Sequence, residues 1–205
     1  MRIIGLTGGI ACGKSAATEM LAELGAAIID TDVLAREVVA PGSEGLAAVV
    51  AAFGPSVLQA DGALDRVRLG AQVFSDAEAR EVLNGITHPR IRALIAAKLG
   101  ALRASQPPPA AVVLVVPLLF ERGLDRLVEE AWVVDVPEAI QRERLARRSG
   151  LGPADVEARI ASQLPREARL ARATRVLDNS GSLAQLRAEV ARVWAEAALP
   201  AVGPS

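Results

Sequence analysis

The stretch GLTGGIACGKS, residues 5–15, is the most informative part of this chain about its fold. From Gly8 to Ser15 it fits the pattern G-x-x-x-x-G-K-[ST], a glycine-rich loop whose backbone N–H groups surround phosphate oxygens. A short apolar run of buried-strand type, Ile3–Thr7, comes directly before the loop, and Ser15–Leu24 has apolar residues at helical spacing. The loop is therefore predicted to join a strand to a helix, where the helix dipole also favours bound phosphate.

Two residues of this loop have side chains suited to binding the phosphates of a nucleotide and its magnesium ion. Lys14 is expected to reach the outer phosphates, and the Ser15 hydroxyl to ligate Mg²⁺. Lys14 stands out because the chain has 21 arginines and only one other lysine, Lys98, and a compact ammonium on a flexible stem suits this position. The residues predicted to bind the nucleotide are Gly9, Ala11, Cys12, Gly13, Lys14, Ser15 and Ala16.

Composition excludes several classes of protein. A hydrophobic content of 51% in 205 residues rules out wholesale disorder, and a net charge of −1 gives no reason to expect a nucleic-acid partner. One Cys excludes a disulfide within the chain and fits a reducing compartment. There is neither a secretory signal pattern nor an apolar run of about 18 residues. We expect a cytoplasmic protein with no membrane partner.

Strand-like and helix-like patterns alternate along the chain. The apolar, β-branched runs are Ile3–Thr7, Ala26–Asp30, Val112–Pro117, Ala131–Val136 and Arg175–Asp178. Further helical patterns are Glu44–Phe53, Asp76–Asn84, Pro89–Ala104, Glu138–Arg148, Pro153–Leu164 and Ser182–Ala197. This alternation predicts an α/β fold of three layers, with a five-stranded parallel sheet covered on both faces.

Two segments are too long for simple connections. About eighty residues separate the second and third strands, so a helical, substrate-binding insertion is predicted at about residues 33–88. The Arg-rich segment 142–174 is predicted to be a lid. The core would then comprise residues 1–32, 89–141 and 175–199, and the tail after Leu199 is expected to be frayed.

The loop alone indicates a nucleotide but not a reaction. A GTPase would carry the guanine-reading motif N-K-x-D, which is absent, and a motor-type ATPase would carry an acidic residue directly after an apolar strand. The third strand instead runs into Pro117, Leu118 and further apolar residues before Glu121. A small-molecule kinase fits best, while a nucleotide-dependent switch or binding protein remains the alternative from another class.

Seven ordered motifs closely resemble the dephospho-CoA kinase family and cover nearly the whole chain. They are the phosphate loop, DTDVLAR at 30–36, THP at 87–89, VVPLLFE at 115–121, VVDVPEAIQRERLARR at 133–148, SQLPREARL at 162–170 and LDNSGS at 177–182. Each motif is weak alone, but the ordered set is highly specific. The resemblance implies ATP-dependent phosphorylation of the ribose 3′-hydroxyl of dephospho-CoA, with another acceptor of the nucleoside, nucleotide or sugar type as the alternative.

The resemblance also implies roles for single residues, carried over by position. Asp32, Lys14 and Arg144 are the implied catalytic residues. Arg148 and Asn179 join the nucleotide-binding set, with Asn179 in the adenine-side loop. The implied dephospho-CoA-binding residues are Asp32, Arg36, His88, Pro117 and Leu118. With ATP and Mg²⁺ as cofactors, the protein is expected to be a monomer or a weak homo-oligomer.

Asp32 is the candidate general base because it follows the second strand, which we expect to neighbour the strand of the phosphate loop. The alternative is that Asp32 only caps a helix beginning near Val33. His88, the single histidine, is assigned a structural or substrate-lining place rather than proton transfer, because Pro89 is expected to open a helix.

Three positions in the phosphate loop depart from the family pattern. The family usually has Gly and Ser where this chain has Ala11 and Cys12, and Thr where it has Ala16. A thiol in an anion-binding loop is expected to have a lowered pKa and to be alkylated, with loss of activity and protection by Mg-ATP. The alternative is a buried, inert Cys12.

Overall fold

The computed structural model of the protein describes residues 1–74 and 76–198. The strands are β1 Arg2–Gly8, β2 Ala27–Asp30, β3 Ala111–Val115, β4 Glu130–Asp135 and β5 Arg175–Asp178. The helices are α1 Lys14–Glu23, α2 Thr31–Glu37, α3 Glu44–Phe53, α4 Arg66–Phe74, α5 Ala77–Ala104, α6 Glu138–Ser149, α7 Pro153–Ala161, α8 Arg166–Ala171 and α9 Leu183–Ala198. The tail expected to be frayed lies outside the described residues.

The five strands form one parallel sheet in the order β2-β3-β1-β4-β5. β1 pairs in parallel with β3 on one side, Ile4 opposite Val113, and with β4 on the other, Leu6 opposite Trp132. The loop that leaves β1 therefore starts at the middle of the sheet, where the chain order of the strands reverses and parallel sheets commonly bind ligands. The predicted α/β class with a five-stranded parallel sheet is confirmed.

The expectation that β2 neighbours β1 is wrong, because β3 lies between them. After the long helical segment that follows β2, the chain re-enters the sheet as β3, which pairs directly with β1. Backbone hydrogen bonding supports this placement: the Val116 N–H donates to the Leu6 carbonyl at 2.9 Å. The run of apolar residues predicts each strand but not its neighbours.

Apolar side chains bury both faces of the sheet. All residues of β3 are buried, and Ile4, Leu6 and Trp132 are wholly inaccessible, as expected for strands covered by helices on both sides. Helices α1 and α9 pack against one face through Leu21 and Val190. Trp132 keeps its one polar atom satisfied, because its indole N–H donates to Glu130 Oε2 at 2.8 Å. The sheet is thus a rigid base for the phosphate loop.

The chain divides into two compact units. The first contains Met1–Ile29 and the chain from Leu102 onward, and the second contains Asp30–Ala101. The second unit is mainly helical and has a small core of its own. Its buried members are Val38, Val39, Leu46, Val49, Val57, Leu64 and Leu69.

Two predicted helical segments, Asp76–Asn84 and Pro89–Ala104, are wrong as separate helices, because α5 is continuous from Ala77 to Ala104. Pro89 lies inside it, so His88 does not open a helix. Proline normally breaks a helix interior because it removes a backbone hydrogen bond. The Thr87 hydroxyl donates to the Leu83 carbonyl at 2.8 Å and Arg90 donates to the Ile86 carbonyl at 2.8 Å, but neither is the Gly85 carbonyl that Pro89 leaves without its helical donor.

A further helix boundary that differs lies in the Arg-rich segment. The helix predicted over Pro153–Leu164 ends at Ala161, and a further short helix, α8, begins at Arg166 directly after Pro165. Proline disfavours the helical conformation in Leu164, the residue before it, so α7 and α8 do not join into one helix. No helix among the described residues is both long and apolar enough to cross a membrane.

Candidate active site

The phosphate loop connects β1 directly to α1. Gly13 stands at the N-cap of α1 with a left-handed backbone, φ 90°, and no side chain caps the helix by a hydrogen bond. The first backbone N–H groups of an α-helix have no partners within the helix. Together with the positive end of the helix dipole they form a site for an anion. Lys14 and Ser15 are the first two residues of this helix.

At two glycines of the loop, Gly9 and Gly13, the ends of other side chains occupy the space of a β-carbon. A β-carbon at Gly13 would stand 2.1 Å from Asn179 Nδ2. At Gly9 it would stand 2.7 Å from Gln141 Nε2 and 2.9 Å from Arg169 Nη1. The pattern of glycines in the loop is therefore set partly by groups that arrive from the far end of the sequence.

Ala11 lies in the left-handed region with φ 61°, the single non-glycine residue with positive φ in the described chain. An L-residue pays roughly 1–2 kcal/mol for this conformation because its β-carbon approaches the backbone. The family's usual glycine would avoid that strain. The departure at Ala11 thus has a local structural cost.

Replacing Ala11 by Gly is expected to stabilise the protein by about 0.5–1 kcal/mol, because relief of strain exceeds the added flexibility of the unfolded chain. The melting temperature should rise by about 1–4 °C in thermal unfolding. Ala22→Gly, in the regular part of α1, is the matched control and should lower the melting temperature. A fall for both variants would contradict the assignment of strain to Ala11.

Cys12 has surroundings opposite to those expected from the sequence. It is 2% exposed, and its burial raises the pKa of its thiol, with Arg169 opposing that rise only in part. The expectation of a lowered pKa is therefore wrong, because desolvation of a thiolate outweighs the positive charges near the loop. The alternative of a buried, inert thiol fits the structure.

Alkylation of native Cys12 by iodoacetamide at neutral pH is expected to be far slower than alkylation of the denatured chain. Both the low access and the raised pKa reduce the reactive thiolate. Intact-mass spectrometry over a pH series measures this, and the native rate should climb only above the pH at which an ordinary thiol ionises. Equal rates in the native and denatured chains would contradict the buried environment.

Asn179 links the phosphate loop to the rest of the first unit. Its side-chain Nδ2 donates to the Cys12 carbonyl at 2.8 Å, and its backbone N–H donates to the Asp135 carbonyl at 2.9 Å. Arg144 Nη2 in turn donates to the Asn179 carbonyl at 3.0 Å. Three of the predicted site residues, Cys12, Asn179 and Arg144, are thus brought together, with the Asn179 amide supporting the loop backbone.

Two glutamines that the sequence analysis did not select fix the peptide of Ile10. Gln163 Oε1 accepts from the Ile10 N–H at 2.8 Å, and Gln141 Nε2 donates to the Ile10 carbonyl at 3.0 Å. They lie 153 and 131 residues further along the chain. Gln163 belongs to the quoted SQLPREARL motif, but nothing in its sequence context indicates which backbone group it contacts.

Several arginines of the segment 142–174 are engaged by carboxylates. The pairs are Arg142 with Glu138 and Glu157, Arg147 with Glu143, Arg166 with Asp135, and Arg172 with Asp125. The Arg166 pair is bidentate, with Nε and Nη2 both on the Asp135 carboxylate. Arg148, predicted to bind nucleotide, is exposed on the last turn of α6. Four arginines of this segment therefore have carboxylate partners in this structure.

The predicted acceptor-side residues lie in both units. Pro117 and Leu118 follow β3 in the first unit, where the Thr7 hydroxyl donates to the Pro117 carbonyl at 3.2 Å. Asp32 and Arg36 lie four residues apart on α2, both exposed, and His88 is half-buried within α5. These last three belong to the second unit.

Asp30, not Asp32, caps α2. Asp30 Oδ1 accepts the Asp32 backbone N–H at 2.8 Å, and the helix begins at Thr31. The alternative that Asp32 serves only as a cap is therefore wrong. Asp32 lies in the first turn of α2, directly after the carboxyl end of β2, and its carboxylate does not cap the helix.

A glycine-rich loop at the middle strand of a parallel sheet, an uncapped helix start and Lys14 at its first position together define a P-loop nucleotide-binding protein. The dephospho-CoA kinase family profile matches residues 2–185. A dephospho-CoA kinase of Moorella thermoacetica is 51% identical over 196 residues, which cover 96% of this chain and 92% of that relative. This chain belongs to the dephospho-CoA kinase family.

Solved structures agree with the fold. The structure of dephospho-CoA kinase from Campylobacter jejuni matches with a TM-score of 0.68 and 28% identity, covering 96% of this chain and 97% of that one. The structure of TT1252 from Thermus thermophilus matches with a TM-score of 0.80 and 36% identity, covering 95% of this chain and 97% of that one. Both likenesses extend over nearly the whole length of each chain.

Proposed function

We propose that this protein transfers the γ-phosphoryl group of ATP to the ribose 3′-hydroxyl of dephospho-CoA, forming coenzyme A in the last step of its biosynthesis. Membership of the family over residues 2–185 carries the proposal. The geometry of the phosphate loop supports the nucleotide half of it, because α1 begins without a side-chain cap behind Gly13.

Lys14 and Ser15 are the proposed phosphate and magnesium residues. The described residues contain no cluster of three acidic, His or Cys side chains that could hold a metal ion by themselves. The Ser15 hydroxyl would hold a magnesium ion without such a cluster, since Mg²⁺ keeps several waters and few protein ligands. When bound, the ion neutralises charge on the phosphates, while Lys14 stabilises charge that builds up during transfer.

Asp32 is the proposed base for the acceptor hydroxyl. A ribose hydroxyl is a weak nucleophile at neutral pH, and a carboxylate that orients it and accepts its proton assists attack on phosphorus. Asp32 is exposed and has no capping role. Arg36 lies on the same face of α2, four residues later, where a cation can bind an acidic group of the acceptor.

The two large excursions of the chain have proposed tasks. The segment of about 33–88 would bind dephospho-CoA, and the Arg-rich segment 142–174 would cover the transferring group and exclude water. Arg144 is the proposed catalytic arginine of that cover. Within the first unit it already supports the nucleotide end of the site through the Asn179 carbonyl.

The experiment is a comparison of acceptors in the presence of ATP and Mg²⁺. Release of ADP is measured with dephospho-CoA, AMP, CMP, shikimate and gluconate offered separately, and the site of phosphorylation is read by ³¹P NMR. We expect turnover with dephospho-CoA and a new 3′-phosphomonoester. Coenzyme A, whose 3′-position is already occupied, is the matched control and should give none.

Two results would overturn the proposal. Turnover with another acceptor and none with dephospho-CoA would make the protein a kinase of different specificity. Nucleotide binding without turnover of any acceptor would favour a nucleotide-dependent switch.

A further inference from the structure

Ile10 and Ala11 are the central residues of a four-residue turn in the phosphate loop. The turn is closed by the Cys12 N–H, which donates to the Gly9 carbonyl at 3.1 Å. Ala11 has φ 61° and is the single non-glycine residue with positive φ among those described, so Ile10 keeps a negative φ. This combination is that of a type II turn, whose third residue is usually glycine.

An alanine at the third position of a turn favours the type I form, because its φ is then negative. The two forms differ mainly in the peptide group between the second and third residues, which is rotated by about half a turn. In this loop that group comprises the Ile10 carbonyl and the Ala11 N–H. Alanine at position 11 therefore favours a loop in which these two groups have exchanged directions.

Gln141 holds the Ile10–Ala11 peptide in the type II orientation. Its Nε2 donates to the Ile10 carbonyl at 3.0 Å, and the residue is 3% exposed. The amide reaches this place because Gly9 has no side chain: a β-carbon there would stand 2.7 Å from Gln141 Nε2. Gln163 fixes the preceding peptide, since its Oε1 accepts from the Ile10 N–H at 2.8 Å. A rotated central peptide would leave the buried Gln141 amide group facing an N–H instead of a carbonyl.

The orientation of this peptide decides whether the loop presents a donor or an acceptor to an anion. The carbonyl and the N–H of a trans peptide point in opposite directions, so the Ala11 N–H points away from the Gln141 side chain. Backbone N–H groups are the ligands of phosphate in a loop of this kind. Rotation of the peptide would put the Ile10 carbonyl in the place of the Ala11 N–H, and a carbonyl cannot donate to phosphate oxygens.

We infer that Gln141 is a positioning residue for the nucleotide: its hydrogen bond keeps the phosphate loop in the type II form, against the preference of Ala11. The cost of a left-handed alanine and the gain from a hydrogen bond are of the same order, so this bond can decide between the two forms. The inference rests on the nucleotide half of the proposed function. It makes the dependence on Gln141 a consequence of having alanine at position 11.

The test measures nucleotide binding without an acceptor, in two backgrounds. Gln141→Met removes the donor but keeps a side chain of similar length, and it is made with Ala11 and with Ala11→Gly. ATP affinity is measured by calorimetric titration with Mg²⁺ present, and every variant is melted without ligand. Ala139→Met is the matched control, because it places the same side chain on an exposed position of α6.

With Ala11 present, Gln141→Met is expected to lower ATP affinity by about threefold to tenfold, the scale of one hydrogen bond. In the Ala11→Gly background the same substitution should lower affinity by less than about twofold, because glycine adopts a positive φ without strain. Ala139→Met should bind ATP as the wild type does. The dependence on residue 11 distinguishes control of the turn from a general loosening of the loop.

Equal losses of affinity in the two backgrounds would overturn the inference, because Gln141 would then act through something other than the turn. Unchanged ATP affinity in Gln141→Met, with or without a lower ligand-free melting temperature, would also overturn it and make Gln141 a packing residue. A wild-type protein that binds no ATP would contradict the proposed function and this inference together. Normal ATP binding by every variant, with turnover of dephospho-CoA by the wild type, would remove this inference alone.

Discussion

Replacing Lys14 by Ala is expected to lower turnover by about 10²–10³ while leaving the fold intact. Lys14 is the first residue of α1, and no ion pair joins it to the described residues. Removing the Lys14 side chain therefore leaves no buried carboxylate without its ion-pair partner. The substitution removes the stabilisation of charge on the transferring phosphoryl group. This stabilisation acts only when nucleotide is bound.

Steady-state turnover, far-UV circular dichroism and thermal melting measure the effect of Lys14→Ala. The control is Lys98→Ala, because Lys98 is the one other lysine and forms an exposed pair with Glu37 at 3.3 Å; near-normal turnover is expected. Lys14→Arg should remain defective, since a planar guanidinium does not replace a compact ammonium. A Lys14→Ala protein with most of the wild-type rate would refute the assignment.

Asp32→Asn is expected to reduce turnover by about 10²–10⁴, because the amide keeps the size of the side chain but cannot accept the hydroxyl proton. ATP affinity should change far less, because the phosphate loop supplies its own donors. Turnover with dephospho-CoA and calorimetric binding of ATP separate the two effects. The first turn of α2 should be unaffected, since Asp30 makes the cap.

Asp30→Asn is the matched control for the base. Asn is as good an N-cap as Asp, so α2 keeps its start and a modest loss of turnover at most is expected. Near-normal turnover in Asp32→Asn together with loss in Asp30→Asn would place the base two residues earlier. Activity in both variants would remove this part of the chain from the chemistry.

Local patterns in the sequence predict the strands and the phosphate loop well. The run Ile3–Thr7 lies within β1, and the pattern Glu44–Phe53 coincides with α3. These elements are decided by neighbouring residues: apolar continuity in a sheet buried on both faces, and a Ser43 cap whose hydroxyl accepts from the Leu46 N–H at 3.1 Å. Gly13, whose backbone is left-handed at φ 90°, marks the end of the loop for the same local reason.

The features that the sequence did not predict are the order of the strands, the continuity of α5 and the burial of Cys12. The position of β3 between β1 and β2 depends on which strands pair, and the continuation of α5 through Pro89 is not explained by the local rule that proline ends a helix. The surroundings of Cys12 come from Arg169 and Asp135, more than a hundred residues away. A local pattern therefore suggested a reactive thiol, while the assembled site buries it.

The contact between Asn179 and Gly13 restricts how these positions can change. The Asn179 amide fills the space of a β-carbon at Gly13, 2.1 Å away. Gly13→Ala is expected to be destabilising while Asn179 is present, because the added methyl group collides with that amide and is strained at φ 90°. A smaller residue at 179 would make room but leave the buried Cys12 carbonyl without its donor. Each substitution alone is therefore expected to lower stability, so positions 13 and 179 are constrained by one another.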